Sequence, residues 1–262
     1  MKRGTRRVPA LIIMLTLATF AGCSGGRDGD ADARGPLRIA AASDLRFALP
    51  DLLEDYGERD GPVAPPTFGA SGELAEQIRG GAPFDVFLSA DLSLPSALEG
   101  EVQVEAGSVV AYARGSLVMA VHPDVAGSVA TLADLARPEI RKIAIADPNV
   151  APYGKAARSA LEKAGLWGPL RSKIVPAGSV ARAFLHVEEG NADAALVSRS
   201  LVAGAKSKVI EVDPALYPPR VQGLGILARS PRKARARAFV GFLLGEAGRR
   251  VLAEHGFSPV HP

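Results

Sequence analysis

The chain of 262 residues has one cysteine, one tryptophan and four histidines, and aromatics make up only 5% of it. A single thiol cannot form an intramolecular disulfide, so the fold must rest on its own core, which a chain of this length can supply. The histidines, His122, His186, His255 and His261, are scattered, and none stands in a metal-ligand spacing such as HExxH. His186, in the helical pattern HVEEG, reads as a solvated or core-edge residue. P-loop, GxSxG and complete GxGxxG patterns are also missing, so no motif argues for an enzyme. No basic run follows the first 22 residues, beyond which 27 basic side chains face 28 acidic ones, a net charge of −1. A polyanion-binding face needs clustered cations, and nucleic acid is therefore excluded as a partner.

What is present is 47% hydrophobic with 23% charged residues, the composition of a globular protein. Lys2, Arg3, Arg6 and Arg7 precede an apolar run of 15 residues from Val8 to Gly22, too short to span a hydrocarbon layer of roughly 30 Å comfortably. Residues 1–22 read as a signal peptide. The run closes on Phe20-Ala21-Gly22-Cys23, which resembles the lipobox of bacterial lipoproteins, with Phe20 where leucine is usual. That resemblance implies lipidation of Cys23. Residues 23–36, SGGRDGDADARG and its flanks, are too small and polar to bury a core and read as a flexible tether. The expected location is the periplasmic face, membrane-anchored, with a soluble periplasmic protein as the alternative.

From Leu37 onward short apolar runs alternate with amphipathic ones, the pattern of an α/β fold with mostly parallel sheets. Strands are expected at 37–42, 85–90, 116–121, 142–146, 192–197, 208–212 and 223–228, and helices at 45–57, 72–79, 131–136, 154–164, 179–189 and 232–254. Pro50 predicts a bend or late start in the first helix, and Gly245 a break in the last. Four helix starts carry little bulk: Ser43 after LRIAAA, Ser71 in FGASGEL, Pro152-Tyr153-Gly154, and Gly178-Ser179-Val180. Helix N-termini present unpaired N–H groups and positive dipole ends, so several converging on a crevice make an anion site without lysine or arginine. Each serine on its own reads first as an N-cap, and it is the four together that point to an anion site.

The segments AAASDL, FGASGELAEQIRGGAPFDVFLSAD and ADPNVAPYGKAARSALEKAGLW, with the helix after PAGSV, resemble the periplasmic molybdate-binding proteins of ABC transporters over roughly residues 37–260. The resemblance implies a two-lobed type II periplasmic binding fold: two mixed, mostly parallel sheets flanked by helices and joined by two crossover strands. Residues 37–115 plus 222–262 would form lobe 1 and residues 116–221 lobe 2. It implies capture of molybdate or tungstate between the lobes, with Ser43 and Ser71 giving hydroxyl and N–H donors and Tyr153 and Val180 backbone N–H donors. Molybdenum would be touched only through its oxygens by these four residues, and no cofactor is implied. Where the family often has a ligand-touching tyrosine this chain has Ser198, whose shorter hydroxyl can still donate but would act through water or not at all. The implied partners are an ABC permease and ATPase, and the membrane through a lipid anchor; the protein is expected to be a monomer. The alternatives are a sulfate or thiosulfate receptor of the same fold, a serine hydrolase using Ser43 or Ser71, and a LysR-like effector module.

Overall fold

The computed structural model describes residues 35–260, so the expected signal run, Cys23 and most of the tether lie outside the described residues. In chain order the elements are β1 (Ile39–Ala42), α1 (Ala48–Asp60), β2 (Thr67–Gly69), α2 (Ser71–Arg79), β3 (Val86–Ser89), α3 (Ser93–Gly100), β4 (Val110–Gly115), β5 (Leu117–Val121), β6 (Ile143–Ala146), α4 (Pro152–Lys163), α5 (Trp167–Leu170), β7 (Ile174–Ala177), α6 (Val180–Glu188), β8 (Ala194–Ser198), β9 (Lys208–Glu211), β10 (Arg220–Ile226), α7 (Lys233–Leu244) and α8 (Glu246–Glu254). Short turns of tighter helix link several of these, including Ser43–Leu45 after β1.

The strands form two five-stranded sheets, ordered β2-β1-β3-β10-β4 and β7-β6-β8-β5-β9. Both are mixed. In each sheet two pairings are parallel and two antiparallel, a larger antiparallel share than the alternating sequence suggests. The reason is topological: β10, returning from the second sheet, runs against both of its neighbours, and β5, leaving the first sheet, does the same in the second. The central strands IAAA, IAIA and LVMAV are buried throughout, because helices cover both faces and leave no polar side to alternate with. One core surrounds the second sheet, and two cores lie on opposite sides of the first.

The chain crosses between the sheets twice, at Gly115-Ser116-Leu117 and between β9 and β10. The first crossing is tight. A Cβ on Gly115 would overlap the Tyr153 hydroxyl, so no larger residue fits beside that phenol.

Pro50 sits at the third position of α1, where the backbone N–H has no intrahelical acceptor to lose, so the helix starts late and continues past it. Gly245 separates α7 from α8, as its place in the pattern predicts. The expected helix at 131–136 is a tighter 3-10 turn, Leu132–Ala136, with Thr131 and Asp134 forming a capping box.

At the start of β3 a buried ion pair ties the first sheet to the C-terminal helices. Arg232 Nε lies 3.2 Å from Asp85 Oδ2, and both side chains are 1% exposed. Asp85 also accepts from the Arg38 amide at 2.7 Å and the Ser230 hydroxyl at 2.6 Å.

Candidate functional site

Four chain segments end against one another in the seam between the sheets. The turn after β1 contributes Ser43 and Asp44, the start of α2 Ser71, the start of α4 Pro152 and Tyr153, and the start of α6 Val180. Together with Gly69, Ala70, Ala90 and Ala151 they line a small cavity of about 10 Å³. Ser43, Ser71, Tyr153 and Val180 are all buried. None of the lining residues is a lysine or arginine.

The helix starts are built to leave donors free. Ala70 caps α2 and Ala151 caps α4, and neither has a side-chain acceptor for first-turn amides. The N–H groups of Ser71, Tyr153 and Val180 stand in the first turns, where no intrahelical carbonyl reaches them. Ser71 is the first residue inside its helix rather than its cap, and its hydroxyl accepts from the Ala90 amide at 3.0 Å. The Ser43 hydroxyl accepts from the Ala181 amide across the seam at 3.4 Å. Ser179 is the serine that caps, accepting from the Arg182 amide.

Behind the cavity lies a buried polar network that crosses between the sheets. Gln222 on β10 donates to Asp44 Oδ2 at 2.5 Å, and Tyr112 on β4 donates to Gln222 Oε1 at 2.5 Å. Gln222 Nε2 also stands 3.4 Å from the Tyr153 hydroxyl, which accepts from Ser198 at 2.9 Å. Ser200 lies 2.8 Å from Ser198 and donates to the Asp44 carbonyl at 2.7 Å.

Ser43, Ser71, Tyr153 and Val180 thus come together, whereas Ser198 does not join them. It is absent from the cavity wall and its hydroxyl is committed to Tyr153 and Ser200, because a serine at the end of β8 is too short to reach past that phenol. Cys23 and His261 lie outside the described residues. No histidine lines the cavity, and the hydroxyls of Ser43 and Ser71 are both engaged by backbone amides. Among the described residues no cluster of three or more histidines, cysteines and carboxylates is placed to hold a metal ion, and no helix is long and apolar enough to cross a membrane.

The profile described as bacterial extracellular solute-binding protein matches residues 37–258. The chain belongs to this family. It is 33% identical to the molybdate-binding protein ModA of Azotobacter vinelandii over 231 residues, covering 84% of this chain and 89% of that protein. The solved periplasmic molybdate-binding protein of Azotobacter vinelandii superposes with a TM-score of 0.80 at 30% identity, covering 86% of this chain and 99% of the other. A substrate-binding lipoprotein described as putative, YvgL of Bacillus subtilis, is 28% identical over 94% of this chain and 97% of its own length.

In this solute-binding protein the residue that sequence reasoning passed over is Asp44. Its side chain is fully buried and one oxygen, Oδ1, has no hydrogen-bond partner. Burial pushes the carboxyl up to about 6, although the Gln222 and Tyr153 hydrogen bonds pull the other way. Burial likewise holds the phenols of Tyr112 and Tyr153 well above the usual tyrosine range, so both stay neutral. The signal was available: an acidic residue two positions after a wholly apolar central strand enters the interior, where a carboxylate is costly.

A folded-state value raised above the unfolded one, about 4, means stability that is complete at lower pH and declines as pH rises through about 6. Asp44→Asn removes that decline. The variant is expected to gain on the wild type between pH 4 and 6, reaching at most roughly 3 kcal/mol above that window. Thermal melts of both proteins across pH 4–8 check this, and parallel pH profiles would refute it.

Proposed function

We infer that this chain is the extracytoplasmic receptor of an ABC importer and captures molybdate or tungstate in the cavity between its sheets. The dianion is held by the hydroxyls and amides of Ser43 and Ser71 from one lobe and the amides of Tyr153 and Val180 from the other. Lobe 1 is residues 37–115 plus 222–262, and lobe 2 is residues 116–221. The observation that carries this reading is the convergence of donors from four separate segments on one cavity with no cation in its wall. The similarity to molybdate-binding relatives supports the choice of ion.

Neutral donors suit a tetrahedral dianion. Hydrogen bonds to an ionised acceptor are about twice as strong as neutral pairs, and preformed helix starts need no further ordering to supply them. The cavity also discriminates by protonation. Phosphate near neutral pH brings O–H groups that would face fixed N–H groups, a buried repulsion that molybdate, tungstate and sulfate avoid. A guest touching both lobes favours the closed arrangement, because only there are all its oxygens satisfied. Ser198 acts one step removed, fixing the Tyr153 phenol while the amide of the same residue meets the ion.

The partners are the importer's permease and ATPase. Anchoring through a lipid on Cys23, with the folded part acting as a monomer on a tether, completes the proposal; the lipobox-like FAGC and the lipoprotein relative support it.

The test is calorimetric titration with molybdate, tungstate, sulfate and phosphate, with Trp167 fluorescence as a second signal. Molybdate and tungstate are expected to bind, sulfate weakly and phosphate not at all; preference for sulfate would move the reading to a sulfate receptor. Ser71→Ala is expected to weaken binding by about 1–3 kcal/mol, since the Ala90 amide and the ion both lose a partner. Unchanged affinity in both Ser71→Ala and Ser43→Ala would reject the site.

A further inference from the structure

Asp44 stands where the oxyanion reading places a doubly negative guest, and it is not placed like an aspartate that serves only the fold. It lines the cavity, is completely buried, and leaves Oδ1 without a hydrogen-bond partner while Oδ2 accepts from Gln222. The elements packed around it offer no counter-charge. β4 brings Tyr112, β10 Gln222, α4 Tyr153 and the turn after β8 the Ser200 hydroxyl, while α6 brings only Val180 and Ala181. Of the cations on these elements, Arg220 acts through its charge on the Tyr153 phenol and keeps a buried Nε without a hydrogen-bond partner, and the others are paired or lie in solvent. Arg220 donates to the Pro152 carbonyl and stands 3.8 Å from Asp91, Arg199 pairs with Glu211, and Arg114, Lys155 and Arg182 are exposed.

A carboxylate and a dianion in one dry cavity cannot both keep their charge cheaply, and only the carboxylate has an accessible neutral form near pH 7. We propose that Asp44 takes up one proton from water each time the cavity fills, so that it meets the oxyanion as a hydrogen-bond donor through Oδ1 rather than as a repelling charge. Burial already raises this carboxyl toward neutrality before any anion arrives, and a neighbouring negative charge raises it further. Capture is thereby linked to proton activity: the receptor holds its ion more tightly on the acid side of neutrality and yields it more readily on the alkaline side. This rests on the oxyanion reading of the same cavity.

The experiment is calorimetric titration of the protein with molybdate, repeated with tungstate, between about pH 6.5 and 8.5 in pairs of buffers with different ionisation enthalpies. The expected result is uptake approaching one proton per anion, with Kd rising toward tenfold per pH unit at the alkaline end. Asp44→Asn, which is neutral at every pH, is expected to lose both the pH slope and the buffer-dependent heat. Wild-type binding with a flat Kd and no proton uptake overturns the proposal, as does Asp44→Asn retaining the slope. Should Asp44→Asn fail to fold, the wild-type proton count decides alone. Absence of any binding by molybdate, tungstate or sulfate across the range overturns the oxyanion reading and this proposal with it, an outcome distinct from binding without protons.

Discussion

Gly72→Ala is expected to lower oxyanion affinity by ten- to a hundredfold and the melting temperature of the unliganded protein by roughly 2–12 °C. Gly72 is the second residue of α2, and its amide donates across the seam to the Val150 carbonyl at 2.9 Å. A Cβ there would stand 2.5 Å from that carbonyl oxygen, closer than side-chain carbons approach backbone oxygen. The backbone offers no yielding side-chain tip, so the seam itself must open. Opening draws the donors of Ser71 away from those of Tyr153 and Val180, and overpacking of this kind costs about 1–3 kcal/mol. Alanine is a good helix former, so α2 itself is not weakened. Calorimetry and thermal melts on the same preparation separate the two effects. Affinity within twofold of wild type would mean that the seam does not set the binding geometry.

The largest stability loss is expected from Asp85→Ala, about 3–5 kcal/mol or roughly 6–20 °C in melting temperature. Asp85 is far from the cavity and joins three parts of the chain: the Arg38 amide before β1, the Ser230 hydroxyl, and the Arg232 guanidinium at the start of α7. Removing it takes the carboxylate from a guanidinium that is 2% exposed overall and still donates to the Pro36 carbonyl, and takes one acceptor from the Arg38 amide and the Ser230 hydroxyl. Asp85→Asn keeps much of the geometry and should lose less. A loss below 1 kcal/mol in Asp85→Ala would show that water enters and relieves the buried charge.

Much of this architecture was legible because the governing signals are local. Strands such as IAAA and IAIA announce themselves as unbroken apolar runs, and glycines mark where helices stop. β4, reading VAYARG, was not expected because its alternation is weak and it lies only one residue from the strong run of β5. β7 was hidden by Pro176, which a strand tolerates at the sheet edge where it lies. α3 was obscured by Pro95, harmless at the third helical position. The four residues that meet at the cavity could be named from helix starts and a family resemblance, whereas Ser198, named with them, does not line it. Its hydroxyl depends on Tyr153, a residue of another element, and no periodicity records which of two side chains reaches the cavity first. Asp44 was missed for a related reason: its place just past an apolar strand hinted at burial, but Tyr112 and Gln222, which complete its network, come from strands far away in sequence.

The place of β10 at the heart of the first sheet bears on how the chain is made and moved. β3, formed from the chain's first third, waits for Val86 to meet Ile226 before its second edge is covered, and α7 and α8 must then dock to seal the same layer. A nascent polypeptide still missing its last segment therefore keeps that sheet open, with few long-range contacts to lock it. Secretion through a narrow conduit demands an unfolded thread, and late arrival of the closing strand delays folding until the whole length can emerge on the far side.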